Sequence, residues 1–208
     1  MTTLAVVKKN GFISIAADTL TKWGSGKESS KYIANHEKIL RVGDSFIGIT
    51  GSATFMLVLE DYFSERKTNV RLSNVNEIFR AWQEMHPVLK ESYFVLPEED
   101  KEDALESSRL DVLIANPYGI FGVTVHRTVQ EFSRFYAYGS GSDYALGAMY
   151  SAYEQPGQSA ESLARLGVEA AAEFDDGTAG PITCYTMREA VAKAARRRPR
   201  KIKLRRVK

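Results

Sequence analysis

A threonine in second position, within Met1-Thr2-Thr3, is the residue with the most chemistry to offer. The initiator methionine is normally removed when the next residue is small. Removal leaves Thr2 with an α-amine and a hydroxyl on one residue. An α-amine titrates near pH ~8, so much of it is a free base close to neutrality. A hydroxyl is a weak nucleophile until a base takes its proton, and a threonine using its own N-terminal amine is one chemical solution. The same tripeptide is also an ordinary chain start with β-branched strand residues, and alone it does not decide. The apolar run Leu4-Ala5-Val6-Val7 that follows places the terminus in a strand, whereas termini usually fray.

Other polar residues fall at the ends of predicted elements: Asp18, Lys38, Gly51-Ser52, Gly139-Ser140-Gly141, and Asp175-Asp176-Gly177-Thr178-Ala179-Gly180. Each has a plain structural reading. Asp18 suits a turn, Lys38 a snorkelling strand lysine, Ser140 a helix cap, and Asp175 an Asx-turn.

The elements that would position these residues follow from local pattern. Leu4 to Lys8 reads as a strand, and Asn10-Gly11 is a strong hairpin signal. Phe12 to Ala17 returns as a second strand and ends at Asp18. Thr19 to Asn35 is polar and reads as a loop. Lys38 to Val42 and Ser45 to Thr50 read as strands joined at Gly43-Asp44. Gly51-Ser52 opens a helix in which Phe55, Leu57, Val58, Leu59, Tyr62 and Phe63 recur at helical spacing. A second helix from Asn74 to about Lys90 carries Val75, Ile78, Phe79, Trp82 and Met85. Ser73 or Asn74 is its cap, and Pro87 is expected to end or kink it. Glu98 to Glu106 reads as a solvated acidic loop.

Leu110 to Ala115 and Ile120 to His126 read as strands around Asn116-Pro117-Tyr118-Gly119. Glu131 to Tyr138 reads as one further strand running into Gly139. Ser142 to Tyr153 is a third helix, broken at Pro156-Gly157, and Ser159 caps a fourth that runs to Ala172. Ile182 to Met187 is the last core strand. Strand blocks alternate with helix pairs, and hairpin turns imply antiparallel sheets. The predicted fold is α+β, a four-layer αββα sandwich of two antiparallel sheets with helices on both outer faces. No internal repeat of solenoid period is present.

The 208 residues suit one domain, 1–187, followed by a basic extension, 188–208. A hydrophobic share of 44% is enough for a core. The one cysteine, Cys184, excludes an intrachain disulfide, and its neighbours mark a packed strand residue. His36, His86 and His126 show no zinc-ligand spacing, so no metal or cofactor is expected. The apolar start is interrupted by Lys8 and Lys9, so no signal-peptide core is expected there, and no stretch reaches transmembrane length. A cytoplasmic protein is expected. Residues 188–208 hold 11 of the 28 lysines and arginines and a single acid, Glu189. The remaining 187 residues carry 17 basic and 25 acidic groups, a net of −8. An acidic body thus carries a basic tail.

Taken in order and at their spacings, Thr2-Thr3, Asp18, Lys38, Gly51-Ser52, Gly139-Ser140-Gly141 and Asp175 to Gly180 resemble the proteasome β-subunit family of N-terminal nucleophile hydrolases, which includes the HslV peptidase of bacteria. The resemblance runs from Thr2 to about Met187. It is most specific in Tyr138 to Ala145 and in Asp175 to Gly180, where Thr178 and Ala179 stand in place of the family's serine and first glycine. The segment from Asp18 to Lys38 is longer than the family pattern. As in HslV, no propeptide is expected. A short bacterial β-type chain with a basic extension is most similar to the proteasome homologues of β-proteobacteria.

The resemblance implies a role for each residue. Thr2 Oγ1 attacks the scissile carbonyl and its amine accepts the proton. Lys38 favours the alkoxide and lowers the amine's pKa, and Asp18 holds Lys38 protonated. Ser140, Asp175 and Thr178 hydrogen-bond around the amine. The Gly51 N–H stabilises the oxyanion, a donor typically worth ~3 kcal/mol. Thr3 lacks the free amine, so its replacement is expected to be mild. By the family pattern Ile49 floors the substrate pocket and Ala53, Leu40 and His36 stand near its walls, favouring an apolar or aromatic side chain. The implied partners are peptide or protein substrates and further copies in stacked rings of six or seven subunits. The resemblance leaves an ATPase or other ring activator open. Met149, Tyr150 and Tyr153 are candidates for contacts between subunits and equally for the core.

The tail has three readings: nonspecific phosphate binding, a solvated segment, or pairing with the acidic body of a neighbouring subunit. The alternation in Lys201-Ile202-Lys203-Leu204-Arg205 suits an added edge strand, and the lack of an interleaved aromatic residue argues against a nucleic-acid platform. Two other functions compete with a peptidase: a small-molecule amidase on the same fold, and a non-catalytic ring or basic-tail binding protein. Intact Thr2, Asp18 and Lys38 argue against the second.

Overall fold

The computed structural model describes residues 2–65, 70–96 and 104–190. The chain opens with β1 (Thr3–Lys9) and β2 (Phe12–Ala17). They join at Asn10-Gly11, whose φ values of 52° and 75° are the left-handed ones a two-residue hairpin demands. A short hairpin, β3 (Thr21–Trp23) with β4 (Gly26–Glu28), precedes β5 (Ile39–Val42) and β6 (Ser45–Ile49). Helices α1 (Thr54–Glu65) and α2 (Val75–Glu91) come next. Strands β7 (Val112–Asn116), β8 (Gly119–Val123), β9 (Val129–Phe132) and β10 (Phe135–Gly139) follow. Helices α3 (Ser142–Ala152) and α4 (Ala160–Phe174) lead into β11 (Thr183–Arg188).

The strands form two antiparallel sheets, ordered β10-β1-β2-β11 and β5-β6-β7-β8-β9. Period-two alternation lets each sheet bury both faces. In β1, Leu4 and Val6 point into the core between the sheets, while Ala5 and Val7 point to α3 and α4. In β7, Leu113 and Ala115 face the other sheet, and Val112 and Ile114 face α1 and α2. The α3–α4 side is built from small residues, among them Ala16, Ala137 and Ala164. The α1–α2 side is built from large ones around the fully buried Trp82, whose truncation would cost about 3–5 kcal/mol. The result is the expected four-layer αββα sandwich.

Three local expectations change. The polar stretch Thr19 to Asn35 contains the β3–β4 hairpin, pinned where the Trp23 indole donates to Glu28 at 2.9 Å. Helix α2 runs through Pro87 to Glu91 because Ile78, Trp82, Met85 and Leu89 are buried on both sides of the proline. Packing there outweighs the missing N–H. Glu131 to Tyr138 is two strands, not one: β9 lies in one sheet and β10 in the other, with the break at Ser133-Arg134. Of the three residues considered for subunit contacts, Met149 is fully buried, Tyr153 packs against the α3–α4 core, and Tyr150 is 80% exposed.

Most of the acidic loop and of the basic extension lies outside the described residues. At its start, Arg188 ends β11, Glu189 pairs with Lys8, and the Ala190 N–H donates to the Pro117 carbonyl. No helix among the described residues is long and apolar enough to cross a membrane.

Candidate active site

The β1–β2 hairpin brings the chain start to the end of β2, because Leu4 pairs with Ala17. The Thr3 N–H donates to Asp18 Oδ1 at 3.0 Å, and the Asp18 N–H returns a bond to the Thr3 carbonyl at 3.3 Å. Lys38, one residue ahead of β5, reaches the same carboxylate: its Nζ lies 2.9 Å from Asp18 Oδ1 and 2.6 Å from the Leu20 carbonyl. Asp18 Oδ2 accepts from the N–H groups of Leu20 and Ala179 at 3.1 and 3.4 Å. Asp18 is fully buried, and two donors on each oxygen offset its desolvation. Burial pushes the Lys38 ammonium below the usual lysine range, while the charge and hydrogen bond of Asp18 oppose the shift.

The second side of the terminus is built by Gly139-Ser140-Gly141. The Ser140 N–H donates to the Thr2 carbonyl at 2.9 Å. The Ser140 hydroxyl donates to Asp175 Oδ2 at 2.7 Å, and Thr178 Oγ1 donates to the same oxygen at 2.6 Å. With its proton committed there, Thr178 can only accept from Thr3 Oγ1, which lies 2.6 Å away. Thr3 Oγ1 in turn accepts from the Gly141 N–H at 3.2 Å. A directed chain runs from Gly141 through Thr3 and Thr178 to Asp175. Burial alone would raise the Asp175 pKa, but the hydrogen bonds from Thr178 and Ser140, the Gly177 N–H and the Lys22 charge together hold it below the usual carboxylate range.

Both glycines of that motif are required by the closeness of the terminus. Gly139 has φ +104°, and a β-carbon there would stand 1.9 Å from the Thr2 carbonyl oxygen. A β-carbon on Gly141 would lie 2.5 Å from Thr3 Oγ1.

Thr2, Lys38, His36, Ile49, Gly51 and Ala53 line one cleft, together with Thr21, Trp23, Ser52 and Met56. Gly51, at φ +105°, follows Thr50, whose N–H is held by the Asp111 carbonyl at 2.9 Å. Ser140, Asp175 and Thr178 lie behind the terminus, joined to it through Thr2 and Thr3. Leu40 does not line the cleft. It packs toward α1 and borders a separate depression with Arg41, Glu60 and Phe63. Strand β5 carries it one pleat beyond Lys38, away from Thr2.

Sequence reasoning missed the part played by Thr3, the Leu20 carbonyl, and Trp23 and Met56 in the cleft. Only the adjacency of Thr3 to Thr2 offered a signal. The Thr3 hydroxyl is buried and has two partners, Thr178 and the Gly141 N–H. Burial pushes the Cys184 thiol up to about 11, so it is no competing nucleophile. Among the described residues, no group of three or more His, Cys, Asp or Glu could hold a metal.

Two facing antiparallel sheets between helix pairs, with the chain start held at the end of one sheet, define the proteasome-like αββα class. No protein-family model and no curated protein matches the sequence. Among solved structures, Thiobacillus denitrificans BPH is 60% identical over 90% of this chain and 98% of its own, with a TM-score of 0.86. Its complex with epoxomicin aligns at 59% identity over 91% and 100% of the two chains, with the same TM-score of 0.86. Eukaryotic HslV from Trypanosoma brucei shares the fold at 17% identity and a TM-score of 0.65, over 90% and 99% of the two chains. The chain belongs to the proteasome β-subunit and HslV-like family of N-terminal nucleophile hydrolases, together with BPH.

Proposed function

We propose that the protein is a threonine-type endopeptidase subunit that hydrolyses peptide bonds inside a ring assembly. The observation that carries this reading is the meeting of Thr2, Lys38 and Gly51 in one cleft, with Lys38 held by the buried Asp18. Removal of Met1 frees the Thr2 amine. That amine takes the proton of Thr2 Oγ1 as the oxygen attacks the substrate carbonyl. The Lys38 charge favours the alkoxide and keeps the neighbouring amine unprotonated. The Gly51 N–H faces the oxyanion of the tetrahedral intermediate. On collapse the protonated Thr2 amine gives its proton to the leaving nitrogen, the C–N bond breaks and the amine half of the peptide departs. Water, deprotonated by the same amine, then hydrolyses the ester and restores the Thr2 hydroxyl. The Ser140–Asp175–Thr178 group holds the Thr2 carbonyl and the Thr3 hydroxyl in register during both steps.

The complex of BPH with epoxomicin supports a threonine-type protease here. Exposed aromatic residues on the α3–α4 face, Tyr150 at 80% and Phe174 at 69%, support burial against further copies in stacked rings of six or seven subunits.

The test combines intact mass, native mass and peptide hydrolysis on the same preparations. Protein lacking Met1 is expected to assemble, cleave peptides and capture epoxomicin on Thr2. Protein retaining Met1 is expected to be inactive, because an amide nitrogen has its lone pair tied up in resonance. Thr2→Ala is expected to stay inactive after trimming, and Thr2→Ser to keep partial activity. Robust hydrolysis by fully Met1-retaining protein would overturn the nucleophile, and a monomer at physiological salt would overturn the ring.

A further inference from the structure

The cleft beside Thr2 contains one imidazole, and its hydrogen bonding determines what it offers a ligand. His36 Nδ1 lies 2.7 Å from the carbonyl oxygen of Ile33, three residues earlier. A carbonyl can only accept, so Nδ1 carries the proton, and in the neutral ring Nε2 is left with its lone pair. Among the described residues Nε2 has no hydrogen-bond partner. The ring shares the cleft with the alkyl groups of Ile49, Ala53 and Met56 and with the polar Thr21, Asn35 and Ser52.

The neighbouring charged groups are committed elsewhere. Lys38 is held by Asp18 and the Leu20 carbonyl, and Lys22 by Asp176. Glu37 accepts from the hydroxyls of Thr183 and Tyr185. The imidazole is therefore a hydrogen-bond acceptor in the same cleft as the alkyl groups of Ile49, Ala53 and Met56.

We propose that His36 determines the side-chain preference of this cleft, selecting tyrosine over phenylalanine on the acyl side of the scissile bond. The inference rests on the reading of Thr2 as the nucleophile. An aromatic body suits the alkyl walls, and a phenolic O–H supplies the donor that Nε2 lacks. Phenylalanine fills the same space but strips water from Nε2 without replacing its hydrogen bond. A carboxylate tip brings negative charge against a lone pair. An ammonium tip brings a second positive charge beside Lys38.

The experiment uses full-length, assembled protein with Met1 removed. Two peptides identical except for tyrosine or phenylalanine before the cleavage point are compared in one preparation, so the ratio is independent of the folded fraction. Tyrosine is expected to be favoured in kcat/KM by about 3- to 10-fold, the range of one neutral hydrogen bond. In His36→Leu the ratio is expected to fall to about 1. In His36→Gln, which retains an acceptor oxygen, it is expected to stay above 1. Equal rates for the two peptides in the wild type, or an unchanged ratio in His36→Leu, overturns the proposal. Capture of epoxomicin by the same preparation separates the two failures. Capture with a wild-type ratio of 1 sinks the role of His36 alone. Neither capture nor cleavage sinks the Thr2 nucleophile and this inference with it.

Discussion

The α-carbon of Gly139 stands so close to the Thr2 carbonyl that a β-carbon there would come within 1.9 Å of its oxygen. The contact couples the end of β10 to the first residue of the chain described. Gly139→Ala must move the terminus or distort a backbone already at φ +104°. It is expected to cost about 3 kcal/mol or more in urea unfolding and to abolish capture of a threonine-directed inhibitor. Gly147→Ala, inside α3, where a β-carbon meets nothing within 4 Å, is the control. It is expected to stabilise by about 0.5–1 kcal/mol with capture intact.

The Thr3–Thr178 contact of 2.6 Å gives a second expectation. Thr3→Val keeps the shape and removes the hydroxyl, leaving the buried Gly141 N–H without its acceptor. A loss of about 1–3 kcal/mol is expected by equilibrium unfolding. Thr3→Ser retains the hydrogen-bond chain and is expected to lose under about 1 kcal/mol. Equal losses in the two variants would remove the hydroxyl from the account.

Asp18→Asn is not conservative here. Both carboxylate oxygens accept from two donors. An amide must therefore point its NH₂ group at N–H or NH₃⁺ donors in either orientation. A destabilisation of about 3–5 kcal/mol is expected from breaking a buried charge pair, read as a lower thermal midpoint together with lost hydrolysis. Lys38→Ala is expected to abolish hydrolysis as well. Wild-type turnover in Lys38→Ala would reduce Lys38 to a structural ion pair.

The pH dependence has two signs. Asp175 is held below its ordinary value of 3.8, so its stabilisation is present above that pH and is lost as pH falls through the lower folded value. Asp175→Asn is expected to flatten the acid limb of the unfolding profile. Lys38 is lowered from 10.5, chiefly by burial, so the unfolded chain binds its proton more tightly. Its contribution therefore favours the folded state increasingly as pH rises through the window below 10.5. Lys38→Met is expected to remove that alkaline gain. An unaltered profile in both variants would mean that neither group is coupled to folding.

The sequence by itself determined what depends on near neighbours along the chain. Alternation set the two faces of β1 and β7, Asn10-Gly11 set the first hairpin, and Ser159 set the start of α4 through its capping bonds with Ser162. These are local consequences of side-chain period, backbone φ and cap geometry. The αββα class followed from the order of the elements, and the residues bordering Thr2 and Asp175 were legible through family spacing.

Only the tertiary structure decided which side each residue serves at long range. It turned Leu40 away from the cleft toward α1, divided one apparent strand into β9 and β10 in opposite sheets, and joined Thr3 to Thr178 across 175 positions of sequence. It also left the His36 imidazole with one nitrogen bound to its own loop. None of this has a local signal. A hydroxyl or an imidazole has the same intrinsic preferences wherever it stands, and its partner is chosen by the packing of a sheet whose strands come from opposite ends of the chain on one drawn from its middle.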